Sequence, residues 1–361
     1  MSKPILISIS PNAQADDVWL ALRTLINPLT WKTGVYNQKL INQLKQYFKL
    51  PNCYLFNAAR SALFIGLKSL NLKPKDQVLY QKFTCSVVPQ AILKAKAKPI
   101  PVNHTSTYNL DVKDLQNKIT PQSKALIIQH TFGNPDDLGK IKDICKKHQL
   151  TLIEDCAHAL GTTYQKKPVG SFGDMTVLSF GRDKVISSVF GGALLSKKKI
   201  PPTHLSNPSN FWVSKQLLHP IIMSLAVPTY FSLGKFIIGA FRALKLITLP
   251  LNNLPIQSMP NGLARLALHQ WSKLDQFNQH RKKLAKIYCD AFNSPFNPDG
   301  IYLRFPLKVN NPKALISYAK KHQVFLGNWY DHKIVNLPTH IRMTTEDAKR
   351  IVKIVKTYAN H

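Results

Sequence analysis

The chain has 361 residues, 44% of them hydrophobic, enough to bury a full core and to form one large domain and a smaller one. Its 49 Lys and Arg face only 18 Asp and Glu, a formal net charge of +31, so the surface attracts anions of many kinds without selecting one. The sequence has no basic run interleaved with aromatics and no helix-turn-helix or zinc-finger pattern, which argues against specific nucleic-acid recognition.

From about residue 55 to residue 196, short apolar runs alternate with amphipathic stretches, the pattern of a parallel or mixed sheet with crossover helices. Strands are predicted at 77–80, 98–102, 125–129, 150–153, 176–180 and 192–195, with helices at 61–70, 87–96, 112–118 and 138–148. Ligands of such sheets bind beyond the carboxyl ends of the strands, so the chemistry is sought just after these runs.

Residues 184–274 contain no Asp or Glu, and 217–234 contain no Lys or Arg either, close to the length of a membrane span. Pro220 and Pro228 interrupt that stretch, and a through-going span would split one domain across a bilayer, so it is not read as one. Two readings remain for 216–249. One is an apolar helical hairpin packed on the protein. The other is a cationic amphipathic segment at an anionic membrane surface, with Lys235, Arg242 and Lys245 at helical spacing. Residues 264–289 read as one long helix leading into a smaller unit with strands at 302–308 and 324–327 and helices at 312–321 and 345–358. The expected division is a large domain, 1–263, carrying the apolar cationic insertion at about 211–250, and a C-terminal domain, 264–361.

Three segments carry chemistry. Thr151-Leu-Ile-Glu-Asp-Cys-Ala-His158 ends an apolar strand in two acids, and Asp155 at a strand's carboxyl end can hold a buried cation. Taken alone, such an acid is more often a helix cap. Met175-Thr-Val-Leu-Ser-Phe-Gly-Arg-Asp-Lys184 places Lys184 five residues after Ser179, before the Gly191-Gly192 pair that opens the next strand. An imine-forming lysine needs burial and neighbouring cations such as Arg182 to stay neutral; without that setting it is a solvated surface charge. Phe56-Asn-Ala-Ala-Arg-Ser-Ala-Leu63 runs small residues into a helix start, where free N–H groups receive phosphate. The cysteines (Cys53, Cys85, Cys145, Cys156 and Cys289) form no CxxC pair and no zinc spacing, and the N-terminus has no signal-peptide pattern, so a reducing, cytoplasmic setting without a metal is expected.

In this order and spacing, Glu-Asp-x-Ala-His, Ser-Phe-x-x-x-Lys and Gly-Gly resemble the DegT/StrS-type sugar aminotransferases. Those enzymes belong to the aspartate-aminotransferase fold class (fold type I) of pyridoxal-phosphate enzymes. The likeness also takes in His130-Thr-Phe-Gly133 and Val169-Gly-Ser-Phe-Gly-Asp174, and more faintly Ala264 to Tyr288 and Asn336 to His340. It implies an α/β fold, a mixed, mostly parallel sheet between helices followed by a small C-terminal α+β domain, in a homodimer. It further implies that pyridoxal 5'-phosphate is held by Lys184 as a Schiff base and by Asp155 at the ring nitrogen. His158 would lie near the ring hydroxyl, with Arg60, Ser61 and Ser179 at the phosphate. The implied reaction moves an amino group from an amino-acid donor, glutamate by family habit, to a keto-sugar acceptor, nucleotide-linked, for surface polysaccharide or glycoconjugate synthesis.

Three departures stand out. After Phe83-Thr84, where the family has an aromatic residue stacked on the cofactor, this chain has Cys85, so either the thiol covers the ring or another side chain does. The family's Gly-x-Asn-x-Arg segment is replaced by Leu254-Pro-Ile-Gln-Ser-Met259, with Asn261 and Arg265 shifted. The loop from Trp329-Tyr330 to Asn336 is short, which would suit a bulky or lipid-linked acceptor. A sugar dehydratase of the same family would carry histidine in place of Lys184. A non-catalytic relative that binds a membrane or anions is the alternative outside catalysis.

Overall fold

The computed structural model describes residues 3–201, 204–248, 254–330 and 333–359. Its centre is a seven-stranded sheet of β1 (Asn52–Phe56), β2 (Gln77–Gln81), β3 (Lys98–Val102), β4 (Ser123–Gln129), β5 (Thr151–Asp155), β6 (Met175–Ser179) and β7 (Gly192–Ser196). The spatial order is β1-β7-β6-β5-β4-β2-β3, and β7 runs against its neighbours while the other pairings are parallel. Helices covering both faces explain why β4 and β5 read as continuous apolar runs instead of alternating ones.

Every strand predicted between 77 and 196 is present, within one or two residues. So are the crossover helices α3 (Ala59–Lys68), α4 (Val87–Lys94), α5 (Val112–Lys118) and α6 (Leu138–Lys147). The Asp111 side chain caps α5 by accepting from the Lys113 and Asp114 N–H groups, and Asp137 starts α6 in the same way. Register fixes the site. Gly192 pairs with both Phe56 and Ser179, Asp155 pairs with Val177, and Gln129 with Asp155, so the carboxyl ends of β1, β6, β5 and β4 share one edge.

Upstream lie α1 (Ala15–Leu25) and α2 (Val35–Phe48), neither expected from the sequence. The predicted helix over 264–289 is two helices, α9 (Asn261–Trp271) and α10 (Leu274–Ala291). At the break the Ser272 hydroxyl donates to the His269 carbonyl, 2.7 Å, and Lys273 turns to pair with Asp16 and Asp17 of α1. The C-terminal unit contains β8 (Arg304–Lys308), α11 (Pro312–Lys321), β9 (Ile334–Pro338) and α12 (Thr345–Ala359). The strand expected at 324–327 shortens to Val324–Phe325, which pairs with Ile5–Leu6 from the start of the chain. Ile5 is buried with Leu284, Tyr288, Phe305 and Ile351 in a core separate from the one under the sheet.

The acid-free insertion forms α7 (Asn210–Ala226) and α8 (Lys235–Ala243), joined by a π-helical turn at Tyr230–Gly234. Ile222, Met223, Ala226, Val227 and Ile238 bury one face of this hairpin against Leu6 and Phe325. Leu249 and Pro250, at the end of the insertion, lie outside the described residues. No described helix is long and apolar enough to cross a membrane.

Candidate active site

The two acids that end β5 point to opposite sides of the strand, as alternation requires. Glu154 accepts the N–H groups of Gly170 (2.6 Å), Phe172 (2.8 Å) and Gly173 (2.5 Å), and so shapes the loop that feeds β6. Its other contact is His130 Nε2, 3.0 Å away. His130 Nδ1 accepts the Asp136 N–H, 3.1 Å, which places the proton on Nε2 and makes that nitrogen the donor to Glu154. Asp155 faces the cleft and is buried, with one carboxylate oxygen accepting the Ala157 N–H, 3.0 Å. Burial pushes this carboxyl upward, against the opposing pull of the Ala157 N–H and the Lys184 ammonium.

Lys184 lies on the loop after β6, and its backbone is anchored from distant parts of the chain. The Asn12 amide donates to the carbonyls of Lys184 (2.5 Å) and Val185 (3.0 Å). Arg281 on α10 donates to Val185 O (2.7 Å), to Asn12 Oδ1 (3.0 Å) and to Asn278 Oδ1 (2.8 Å). Burial lowers the Lys184 pKa, Arg304 lowers it further, and Asp155, Cys85 and Asp183 oppose the shift. A lowered pKa favours the neutral amine that attacks a carbonyl.

His158 is fully buried, and burial together with Lys184 and Arg304 keeps the imidazole neutral. Its Nε2 lies 3.3 Å from the Tyr330 hydroxyl, and the ring stacks between Phe132 and Tyr330 at centroid distances of 5.8 and 6.0 Å. Its Nδ1 is buried without a partner among the described residues.

At the other end of the edge, Gly192 lies so close to α3 that an added Cβ would fall 2.4 Å from the Ala59 nitrogen. Ser61 is buried and its hydroxyl donates to Asn57 Oδ1, 2.9 Å. Ser179 is half-buried, near Gly181 and the Lys184 side chain. Arg60 is half-buried, which lowers its pKa, and Cys85 lies in the same region as Arg60, Lys184 and Tyr330. The fold thus gathers Arg60, Ser61, Cys85, Asp155, His158, Ser179 and Lys184 along one edge.

Asn12, Gln129, Arg281, Arg304 and Tyr330 belong to the same region and were not singled out from the sequence. Gln129 accepts from the Thr84 hydroxyl at 2.9 Å. None of the five sits in a local motif; they converge only through the tertiary fold. The shifted Asn261 and Arg265 serve structure within this chain. Asn261 accepts from the Tyr36 N–H (2.8 Å) and donates to Thr30 O (2.7 Å), while Arg265 stacks over Tyr36. The segment before them is tied to Asn57 by Gln257 and Pro255. In the short loop after Tyr330, Asp331 and His332 lie outside the described residues.

Residues 14–205, more than half of the chain, match the model of the DegT/DnrJ/EryC1/StrS aminotransferase family. An uncharacterized protein of Methanocaldococcus jannaschii is 30% identical over 376 residues, covering 90% of this chain and 91% of its own length. GDP-perosamine synthase of Vibrio cholerae is 26% identical, covering 91% and 92%. Among solved structures, a putative sugar aminotransferase of Streptococcus pneumoniae in its PLP form superposes with a TM-score of 0.76 at 20% identity, covering 99% of both chains. A Helicobacter pylori aminotransferase involved in the biosynthesis of pseudoaminic acid gives 0.77 at 18% identity, covering 99% of this chain and 100% of its own. The non-catalytic alternative gains no support from these relatives. The chain belongs to the DegT/DnrJ/EryC1/StrS aminotransferase family and is a pyridoxal-phosphate-dependent aminotransferase.

Proposed function

We propose that this enzyme transfers an amino group from an amino-acid donor, glutamate, to a nucleotide-linked keto-sugar that enters a surface polysaccharide. The relatives named as GDP-perosamine synthase and as a spore coat polysaccharide biosynthesis protein support the acceptor class. The observation that carries the reading is the convergence of a buried carboxylate (Asp155), a lysine of lowered pKa (Lys184) and a neutral imidazole (His158) at one strand edge.

The residues fit pyridoxal phosphate. Asp155 accepts a single N–H bond among the described residues, so it can take a pyridinium N–H as well. His158 keeps a buried ring nitrogen without a partner. The start of α3, with Arg60 and the nearby Ser179 hydroxyl, suits a phosphate, while Ser61 holds that turn through its bonds to Asn57 and Ala58. When bound, the cofactor supplies an electron sink for the carbanion formed as a substrate C–H is deprotonated. Asp155 would hold the proton on the ring nitrogen that keeps this sink effective. Lys184 would hold the cofactor, and its amine would serve as the group that takes up and returns the substrate proton. Cys85 and Tyr330 close the cleft.

In this reading the enzyme is a homodimer of chains divided near residue 263, and it works at the cytoplasmic face of an anionic membrane. Support for the membrane contact comes from the outer face of the α7–α8 hairpin, where Leu225, Leu233, Phe236 and Leu244 are exposed beside Lys235, Arg242 and Lys245. The functional test incubates the enzyme with glutamate and a panel of nucleotide-linked keto-sugars, and follows 2-oxoglutarate and the aminated sugar by mass spectrometry. Stoichiometric formation of both is expected. Failure with every keto-sugar, with cofactor bound, would overturn the acceptor class.

A further inference from the structure

Arg304, on β8, is only 7% exposed. Its guanidinium carbon lies over the Trp329 indole, 3.7 Å from the ring centroid. Stacking uses the face of the group and leaves the N–H edge for a planar partner. Asp183 is the acid whose charge reaches Arg304, and one Asp183 oxygen is itself buried without a hydrogen-bond partner. Among the described residues, no carboxylate lies within ion-pair distance of Arg304. The charge of Arg304 acts on both Lys184 and His158, which lie in the same region. Arg304, Asp183 and Lys184 line one cavity.

Of the other arginines in this region, Arg60 lies at the start of α3, and Arg281, Arg182 and Arg265 have contacts of their own. Arg281 spends its terminal nitrogens on Asn278, Asn12 and Val185. Arg182 donates to the Thr248 carbonyl, and Arg265 lies on Tyr36 with a nitrogen on the Thr24 hydroxyl. A buried fork of N–H donors that shares a cavity with Lys184 and rests on an indole matches a carboxylate in size, charge and plane.

We infer that Arg304 binds a carboxylate of the amino-acid donor. The inference rests on the aminotransferase reading and assigns its donor subsite. Arg304 is a specificity residue: it selects a donor with a carboxylate and sets the donor's amine against the cofactor carbon. The keto-sugar does not need this contact.

The test uses holoenzyme carrying Arg304→Gln or Arg304→Lys. Glutarate, a dicarboxylate without an amine, is titrated by calorimetry against wild type and variants, and the neutral diamide of glutarate serves as control. Loss of a bidentate charged contact is expected to weaken glutarate binding about a hundredfold in Arg304→Gln. The lysine variant, which keeps the charge but not the fork, should recover part of that loss. The diamide should bind the three proteins alike, and the visible band of the lysine-bound cofactor should persist. Unchanged glutarate affinity in a band-retaining Arg304→Gln would overturn the inference while leaving the aminotransferase reading intact. If Arg304→Gln does not fold, wild-type affinity in Arg304→Lys would overturn it equally. A wild-type protein that takes up no cofactor would instead break the reading on which the inference rests.

Discussion

At the scale of single residues, burial and hydrogen bonding assign different tasks to neighbouring acids. Glu154 serves the loop and Asp155 the cleft, although they are adjacent in one strand. Asp155→Asn keeps the shape but cannot hold a pyridinium proton by charge. It should reduce amino transfer about a thousandfold with the cofactor still bound, measured as 2-oxoglutarate release. Asp136 behaves differently. Burial, aided by the Glu154 charge and opposed by His130 and the Leu110 N–H, raises its carboxyl from 3.8 to about 6. A raised folded pKa means that the stability it contributes is complete below about pH 4 and is lost as pH rises through 6, about 3 kcal/mol in all. Asp136→Asn, neutral throughout, lacks that slope. Relative to wild type it should gain stability between pH 4 and 7, as urea unfolding at several pH values will show; parallel curves for the two proteins would contradict the assignment.

At the scale of elements, the site depends on how closely strands and helices approach. Gly192 sits where β7 pairs with β1 and β6 and touches the start of α3. Gly192→Ala would drive a methyl into the Ala59 backbone and displace the first turn of α3. The affinity for pyridoxal phosphate should fall at least tenfold, measured by equilibrium dialysis, with most of the fold kept. The strands from Gln77 to Ser196 were legible because buried parallel strands are short apolar runs bounded by turns, and the motifs lie at their ends. β1 was missed because Asn52–Phe56 runs directly into the small residues that start α3, and β9 because Ile334–Pro338 follows directly on a loop. The break at Ser272 and Lys273 was hidden because apolar spacing continues through it; the ion pairs that fix it come from α1. Asn12, Arg281, Arg304 and Tyr330 were silent for the same reason, since each reaches Lys184 or His158 only across long separations in the chain.

At the scale of the molecule, the strongly basic chain carries an apolar hairpin whose outer face is free of acids. Phe236, 76% exposed, lies between Lys235 and Arg242 on α8. If this face meets an anionic bilayer, Leu233→Asp with Phe236→Asp should abolish co-sedimentation with vesicles containing anionic phospholipid, and high salt should weaken the wild-type contact. Equal sedimentation of variant and wild type would remove the membrane from the account. The central claim is chemical and can be tested without knowing the sugar. The visible absorption of protein loaded with pyridoxal phosphate and freed of excess should be recorded beside a Lys184→Ala variant, before and after adding glutamate. The account predicts a band that requires Lys184 and shifts to shorter wavelength when glutamate converts the cofactor to its amine form. The same spectrum in both proteins, unmoved by glutamate, would contradict it.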